Sequence, residues 1–317
     1  MVFRPLAITL LSALALIASN TSLQLDGHID GDVPARSLRV TLFSVERPYA
    51  ESVDVDHRGD FHFRNLAPGN YTVAVLRDGM GEVRRTVVIS AAVARDSGVV
   101  RTVVPYNSAE AAVYPAAGTV SVRQASIPRH AAAKYADAQR RLAGRDPEGA
   151  VRSLEEAVSI APEYSAAWNA LGVIAFQNGD DSRAQTFFRH SLEADPNAFE
   201  PLVNLGGALL KTGSATDALP FNQRAVRDRP EDALANSQLG MNYFKLDRLD
   251  EAEPYLLAAK RLDRAQFSQP QIFLAEIYVR RGNRAAAIRE LEDVLEIRPD
   301  GPLSPSIRRN LAQLTRQ

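Results

Sequence analysis

The feature that most constrains this chain is a repeat of 34 residues. Leu171-Gly172, Leu205-Gly206 and Leu239-Gly240 recur at that interval, and Leu274-Ala275 follows after 35. Ala150, Ala184, Ala218, Ala252 and Ala287 keep the same phase, as do Pro162, Pro196 and Pro230. Pro299 holds the phase after one inserted residue, while Arg264 replaces proline in the fourth unit. Gly179, Gly213 and Gly282 form a further column, with Asp247 in the remaining place. A period in the range of roughly 20–50 residues marks units that cannot bury their apolar face alone and must stack on their neighbours.

Each column has a physical reason. Glycine or alanine in the first helix of a unit lets the second helix approach closely. Gly179 and its equivalents supply the left-handed conformation that ends a helix, and Asp180, Asp181 or Ser182 can cap the next one. Proline after the second helix stops it, because the residue before proline is pushed out of helical space. Trp168, Leu171 and Phe188 provide bulk between helices. From Ala131 to Pro299 this pattern resembles the tetratricopeptide repeat, which implies a right-handed α-solenoid. Five units are expected over 128–301, with Pro128 opening the first helix and Asp137 and Arg141 standing where the first unit should have core residues. Residues 302–317 carry Ile307, Leu311 and Leu314 on one helical stripe, as a capping helix requires.

Upstream, over 21–105, the period is two. Leu38, Val40 and Leu42, then Phe61 and Phe63, then Tyr71, Val73 and Val75 alternate with polar residues. Turns are expected at His57-Arg58-Gly59-Asp60, Ala67-Pro68-Gly69-Asn70 and Asp78-Gly79-Met80-Gly81. Short strands with one apolar face at this spacing indicate a small antiparallel β-sandwich of six or seven strands. The string Gly59 to Tyr71, GDFHFRNLAPGNY, resembles the signature of the carboxypeptidase regulatory-like, transthyretin-like and Cna-B-like domains. That resemblance implies a structural role for these residues, in a stalk, spacer or adhesion module, and supplies no active site. Residues 106–127 read as a linker, with a weak strand over Thr119 to Ala125.

At the N-terminus, Arg4 precedes an apolar run from Leu6 to Ala18, too short to span a bilayer at ~20 residues per helix. Residues 1–20 are therefore expected to be a secretory signal, which places the chain in the periplasm or outside the cell. The only membrane contact expected is through this segment, were it retained as an anchor. The net charge of −1 lacks the basic field that nucleic-acid binding needs. There is no cysteine, hence no disulfide, thiolate metal site or thiol nucleophile. Phosphate-loop, zinc-protease and serine-elbow motifs are absent. His57 and His62 lie near Asp54, Asp56 and Asp60, but Arg58 stands where a calcium loop would need an oxygen ligand. No cofactor, metal or catalytic residue is expected, and the chain reads as a non-enzyme.

The resemblance to tetratricopeptide repeats implies that the first helix of each unit lines a groove. Gln177, Lys211, Lys245 and Arg280 recur there, each preceded by an apolar residue: Phe176, Leu210, Phe244 and Val279. Val173 and Met241 widen the apolar part, and Asn169 adds a polar contact. Such a strip suits a protein or peptide segment with acidic and apolar residues. The same cations also suit helix C-termini, which favour positive charge by ~0.3–1 kcal/mol each. Asn169 and Asn204 lie 35 apart, out of register for a carboxylate clamp. The expected function is a protein-interaction scaffold or adaptor of the cell envelope. The alternative is a carbohydrate- or surface-binding module in which the sandwich binds and the repeats are a spacer.

Overall fold

The computed structural model describes residues 22–31, 37–77, 81–107 and 126–316. The expected signal and the weak strand over Thr119 to Ala125 lie outside them. Seven strands are described: β1 (Leu23–Gly31), β2 (Leu38–Ser44), β3 (Ala50–Asp54), β4 (Asp60–Leu66), β5 (Gly69–Arg77), β6 (Gly81–Ile89) and β7 (Val99–Tyr106). They form two sheets, β4-β1-β7 and β3-β2-β5-β6. The alternating residues point inward as one core: Leu38, Val40 and Leu42, beside Tyr71, Val73 and Val75 of the same sheet, share it with Phe61 and Phe63 of the other sheet. Gly27 lies opposite Phe61, and its missing side chain makes room for that ring, since a Cβ there would come within 2.0 Å of it. The Gly59 turn has φ 94° and is held by the Asp56 carboxylate, which accepts the N–H groups of Arg58 and Asp60 at 2.8 and 2.9 Å. Tyr71 donates its hydroxyl to the Ala67 carbonyl at 2.8 Å, which fixes the next turn.

One pairing departs from the antiparallel expectation. β1 and β7 run parallel from Gln24↔Val99 to Gly31↔Tyr106. A single helical turn at Ala91–Ala94, capped by Ser90, takes the chain from β6 to the opposite sheet. The last strand therefore enters beside the first in the same direction, as a crossover connection permits.

From Arg129 onward eleven helices are described. They are α1 (Arg129–Ala143), α2 (Pro147–Ile160), α3 (Ser165–Gln177), α4 (Asp181–Ala194), α5 (Phe199–Lys211), α6 (Ala215–Asp228), α7 (Ala233–Lys245), α8 (Leu249–Leu262), α9 (Pro270–Arg280), α10 (Arg284–Ile297) and α11 (Ser304–Arg316). Odd-numbered helices from α1 to α9 open the five units and even-numbered ones close them. A Cβ on Gly172 would meet the Phe188 ring at 2.4 Å, and one on Gly240 would meet Leu256 at 2.7 Å. The small-residue column is thus the seat of the second helix. Gly179, Gly213 and Gly282 take φ 79°, 84° and 73° between the helices, and Asp247 takes 58° in the same column. Asp180 and Asn283 then cap α4 and α10. In α11, Ile307 is buried and Leu311 and Leu314 pack on the last apolar cluster.

Candidate protein-interaction site

The first-helix ends bring the expected strip together in a particular way. Two of the three cations, Lys211 and Arg280, lie over the aromatic ring of the unit before them. Lys211 Nζ sits 4.4 Å from the centre of the Phe176 ring, and the Arg280 guanidinium 5.1 Å from that of Phe244. Both cations are also paired. Lys211 meets Asp181 at 2.6 Å, and Arg280 meets Asp247 at 2.9 Å and Glu276 at 3.0 Å. These acids precede or open the second helix of the neighbouring unit, apart from Glu276, which lies one turn back on α9. The column is therefore an inter-repeat staple as well as a charged edge. Exposed cation–π pairs contribute ~0.5–1 kcal/mol and exposed ion pairs about the same or less.

The apolar partners divide. Leu210 is buried at 4% exposure and belongs to the core between units. Val173, Phe176 and Met241 are half-buried against that core, and Phe244 and Val279 against the next two. Asn169 is engaged by Asn204, whose amide donates to its Oδ1 at 2.9 Å. Lys245 is exposed and forms no ion pair among the described residues. Its neighbours explain this: Gly213 and Ala215 occupy the places that Asp247 and Asp181 hold elsewhere in the repeat.

Gln177 has a different role. Its amide donates to the carbonyls of Ser44 and Val45 at 2.9 and 3.3 Å, so it touches the sandwich. Other contacts extend this junction along the array. β3 packs against α1. Arg145, between α1 and α2, donates to the Asn65 carbonyl and lies 5.9 Å from the Tyr49 ring centre. Arg84 on β6 meets Glu200 of α5 at 3.5 Å. Asp263 accepts the Thr86 N–H at 2.9 Å, Arg298 donates to Asn70 at 3.1 Å, and Asp300 accepts the Ala92 N–H at 3.3 Å. The two edge strands of sheet β3-β2-β5-β6 are thus met by different parts of the array: β3 packs on α1, and Asp263 occupies the Thr86 N–H that the β6 edge otherwise leaves open. Burial raises the Asp263 carboxyl above its ordinary value. The Glu200 carboxyl is pushed up by burial, but Arg84 and Arg229 outweigh this and hold it below its ordinary value.

Sequence reasoning missed Arg145, Asp263 and Arg298. Arg145 stands in the glycine column and takes its left-handed conformation, with φ 61°. That placement was readable from the period, but its contact with the sandwich was not. On the sandwich, His28 pairs with Asp60 at 2.8 Å and His62 with Asp26 at 2.9 Å across β1 and β4. None of the described helices is long and apolar enough to cross a membrane.

Comparison with known proteins agrees with this architecture. Residues 135–199, 183–233 and 204–268 match one tetratricopeptide repeat family model, and residues 269–300 match a second of the same description. The human cell division cycle protein 16 homolog is 31% identical over 124 residues, covering 36% of this chain and 20% of that protein. A TPR repeat-containing protein of Rhizobium etli is 28% identical over 102 residues, covering 32% of this chain and 50% of that one. The chain thus spans about a fifth of the length of its cell-division relatives. Among solved structures, Pseudomonas aeruginosa PilF is similar with a TM-score of 0.52 at 21% identity, covering 59% of this chain and 85% of that one. PilW, a type IV pilus biogenesis factor, gives 0.50 at 21% identity, covering 59% and 89%. At that identity the likeness concerns the fold alone. Through residues 135–300, about half its length, this chain belongs to the tetratricopeptide repeat family.

Proposed function

We propose that this chain is a non-catalytic scaffold of the cell envelope that holds an acidic and apolar protein segment along the ends of its first helices. The observation that carries this reading is Lys245. It is the one cation of its column without an internal acid among the described residues, and half-buried Met241 and Phe244 lie beside it on the same helix. A carboxylate from a partner would meet a charge that nothing else neutralises, next to apolar surface. Lys211 and Arg280, already paired, serve mainly to join the units. Placement in the envelope rests on Arg4 and the apolar run from Leu6 to Ala18. The string from Gly59 to Tyr71 supports a carboxypeptidase regulatory-like or Cna-B-like sandwich.

The test is affinity capture from native envelope extract with the full chain and with Lys245→Glu. Capture is expected to fall at least tenfold, equivalent to ~1.4 kcal/mol, with the circular dichroism spectrum unchanged. Equal capture by both chains removes the strip reading. Cell fractionation and N-terminal sequencing of the mature protein test export. A second reading, in which the sandwich binds a carbohydrate or a surface, is favoured by Val103, which is 61% exposed on the outer face of sheet β4-β1-β7. Glycan-array binding that survives Lys245→Glu would favour it.

A further inference from the structure

The sandwich lies against the side of the array formed by the first helices and the loops that enter them. Three features of that junction bear on what else the face does. The first is the kind of contact. The apolar core of the sandwich includes no array residue, and none of the array clusters includes a sandwich residue. Apart from the packing of β3 on α1, the junction among the described residues is made of hydrogen bonds, an ion pair and a cation–π contact, the composition of an interface that comes apart. The second is what the array recognises. Gln177 binds two backbone carbonyls and Asp263 one backbone N–H, groups that any extended segment offers. The third is a receiving site for positive charge. Glu200 Oε1 lies 3.5 Å from Arg84 Nη2 and 3.4 Å from Arg229 Nη1. Arg229 is fixed in the array, 3.9 Å from the Phe199 ring centre. Arg84 comes from the sandwich and Glu82 steadies it at 2.5 Å. Without Arg84, Glu200 would keep Arg229 as its cation.

We propose that the sandwich is a displaceable occupant of this side of the array, and that Glu200 provides an acidic pocket for an arginine or lysine of a protein partner, filled in cis by Arg84. The partner supplies a basic side chain together with extended backbone for Gln177 and Asp263. This face adjoins the strip at Gln177, but Glu200 and Lys245 are different residues of opposite charge, so the two readings can fail independently. The junction also carries its own cost. Arg298 is 4% exposed and its Nη1 has no acceptor, so a buried charge is only partly satisfied there.

The chain has no cysteine, which allows paired spin labels at Val103→Cys and Leu257→Cys, both exposed positions. Double electron–electron resonance on the full chain should give one narrow distance distribution. Arg84→Glu places a negative charge against Glu82 and Glu200, and should add a second, broader population with the circular dichroism spectrum unchanged. Adding Glu200→Arg to that chain should restore the single distance. A fluorescent peptide copying residues 81–89 should then bind the Arg84→Glu chain, at least tenfold more weakly when Glu200 is also changed to Gln. An unchanged distance in Arg84→Glu overturns displacement. Opening without Glu200-dependent peptide binding overturns the pocket.

Discussion

Asn222 occupies the place that Phe188, Leu256 and Leu291 fill in the other units. It lies so close to Gly206 that a Cβ there would come within 2.0 Å of its Oδ1. The side chain is fully buried, its Nδ2 donates to Asn242 Oδ1 at 2.9 Å, and its own Oδ1 has no partner. Asn242 in turn donates to the Ala215 carbonyl at 2.7 Å. Replacing Asn222 by Leu alone leaves Asn242 Oδ1 without a donor and should cost about 1–3 kcal/mol. Replacing Asn242 by Ile as well restores the residues found at Phe188 or Leu256 and at Ile174 or Ile277, and should recover most of that loss. A double-mutant cycle by urea unfolding measures the difference, and simple additivity would show that the pair does not act as one. The Asp137 and Arg141 misfits of the first unit resolve similarly. Asp137 accepts from Arg141 at 2.7 Å and from Ser153 at 2.7 Å, and these bonds bring its carboxyl from 3.8 to about 2. A carboxylate with a lowered folded-state value contributes stability above its unfolded value, and that contribution is lost as pH falls through the folded one. The first unit should therefore loosen between about pH 4 and 2, followed through the near-ultraviolet dichroism of Tyr135 and Tyr164. Asp137→Asn should remove that pH dependence.

At the scale of the element, most of the array was legible because its constraints repeat. The glycine column predicted the left-handed turns, and a period of 34 told Asp247 to behave as glycine does. In the sandwich, alternation located the strands and the Gly59 turn, but nothing in a period of two says which sheet a strand joins. The parallel β1–β7 pair was therefore beyond it. A second column went unread: Pro220 and Pro254 stand 34 residues apart, inside α6 and α8, on exposed positions. Each lacks the N–H that would bond the preceding turn, and each ring presses on the carbonyl four residues back. Alanine in place of Pro220 should stabilise the chain by up to ~3 kcal/mol if the helix gains only that bond. A urea midpoint that is unchanged or lower would show that the proline helps to seat α6 against α7.

The whole molecule was least legible, for a physical reason. The sandwich and the array each announce themselves by periodic burial, and each has its own core. Their junction is made of single polar contacts between residues distant in sequence, such as Thr86 with Asp263 and Asn70 with Arg298, and these leave no pattern. The same fact governs stability. Cooperative unfolding of two units as one needs a shared apolar interface, because polar contacts exchange with water at a net ~0.5–1.5 kcal/mol each. Scanning calorimetry of the full chain should therefore show two transitions rather than one. Raising the salt should move them further apart, since the Arg84–Glu200 pair leaves both side chains 41% exposed and open to screening. Arg84→Glu should lower the transition of the sandwich by a few degrees and leave that of the array nearly where it was. A single transition that ignores salt would mean that the sandwich and the array fold as one body, with the junction contributing far more than its separate bonds.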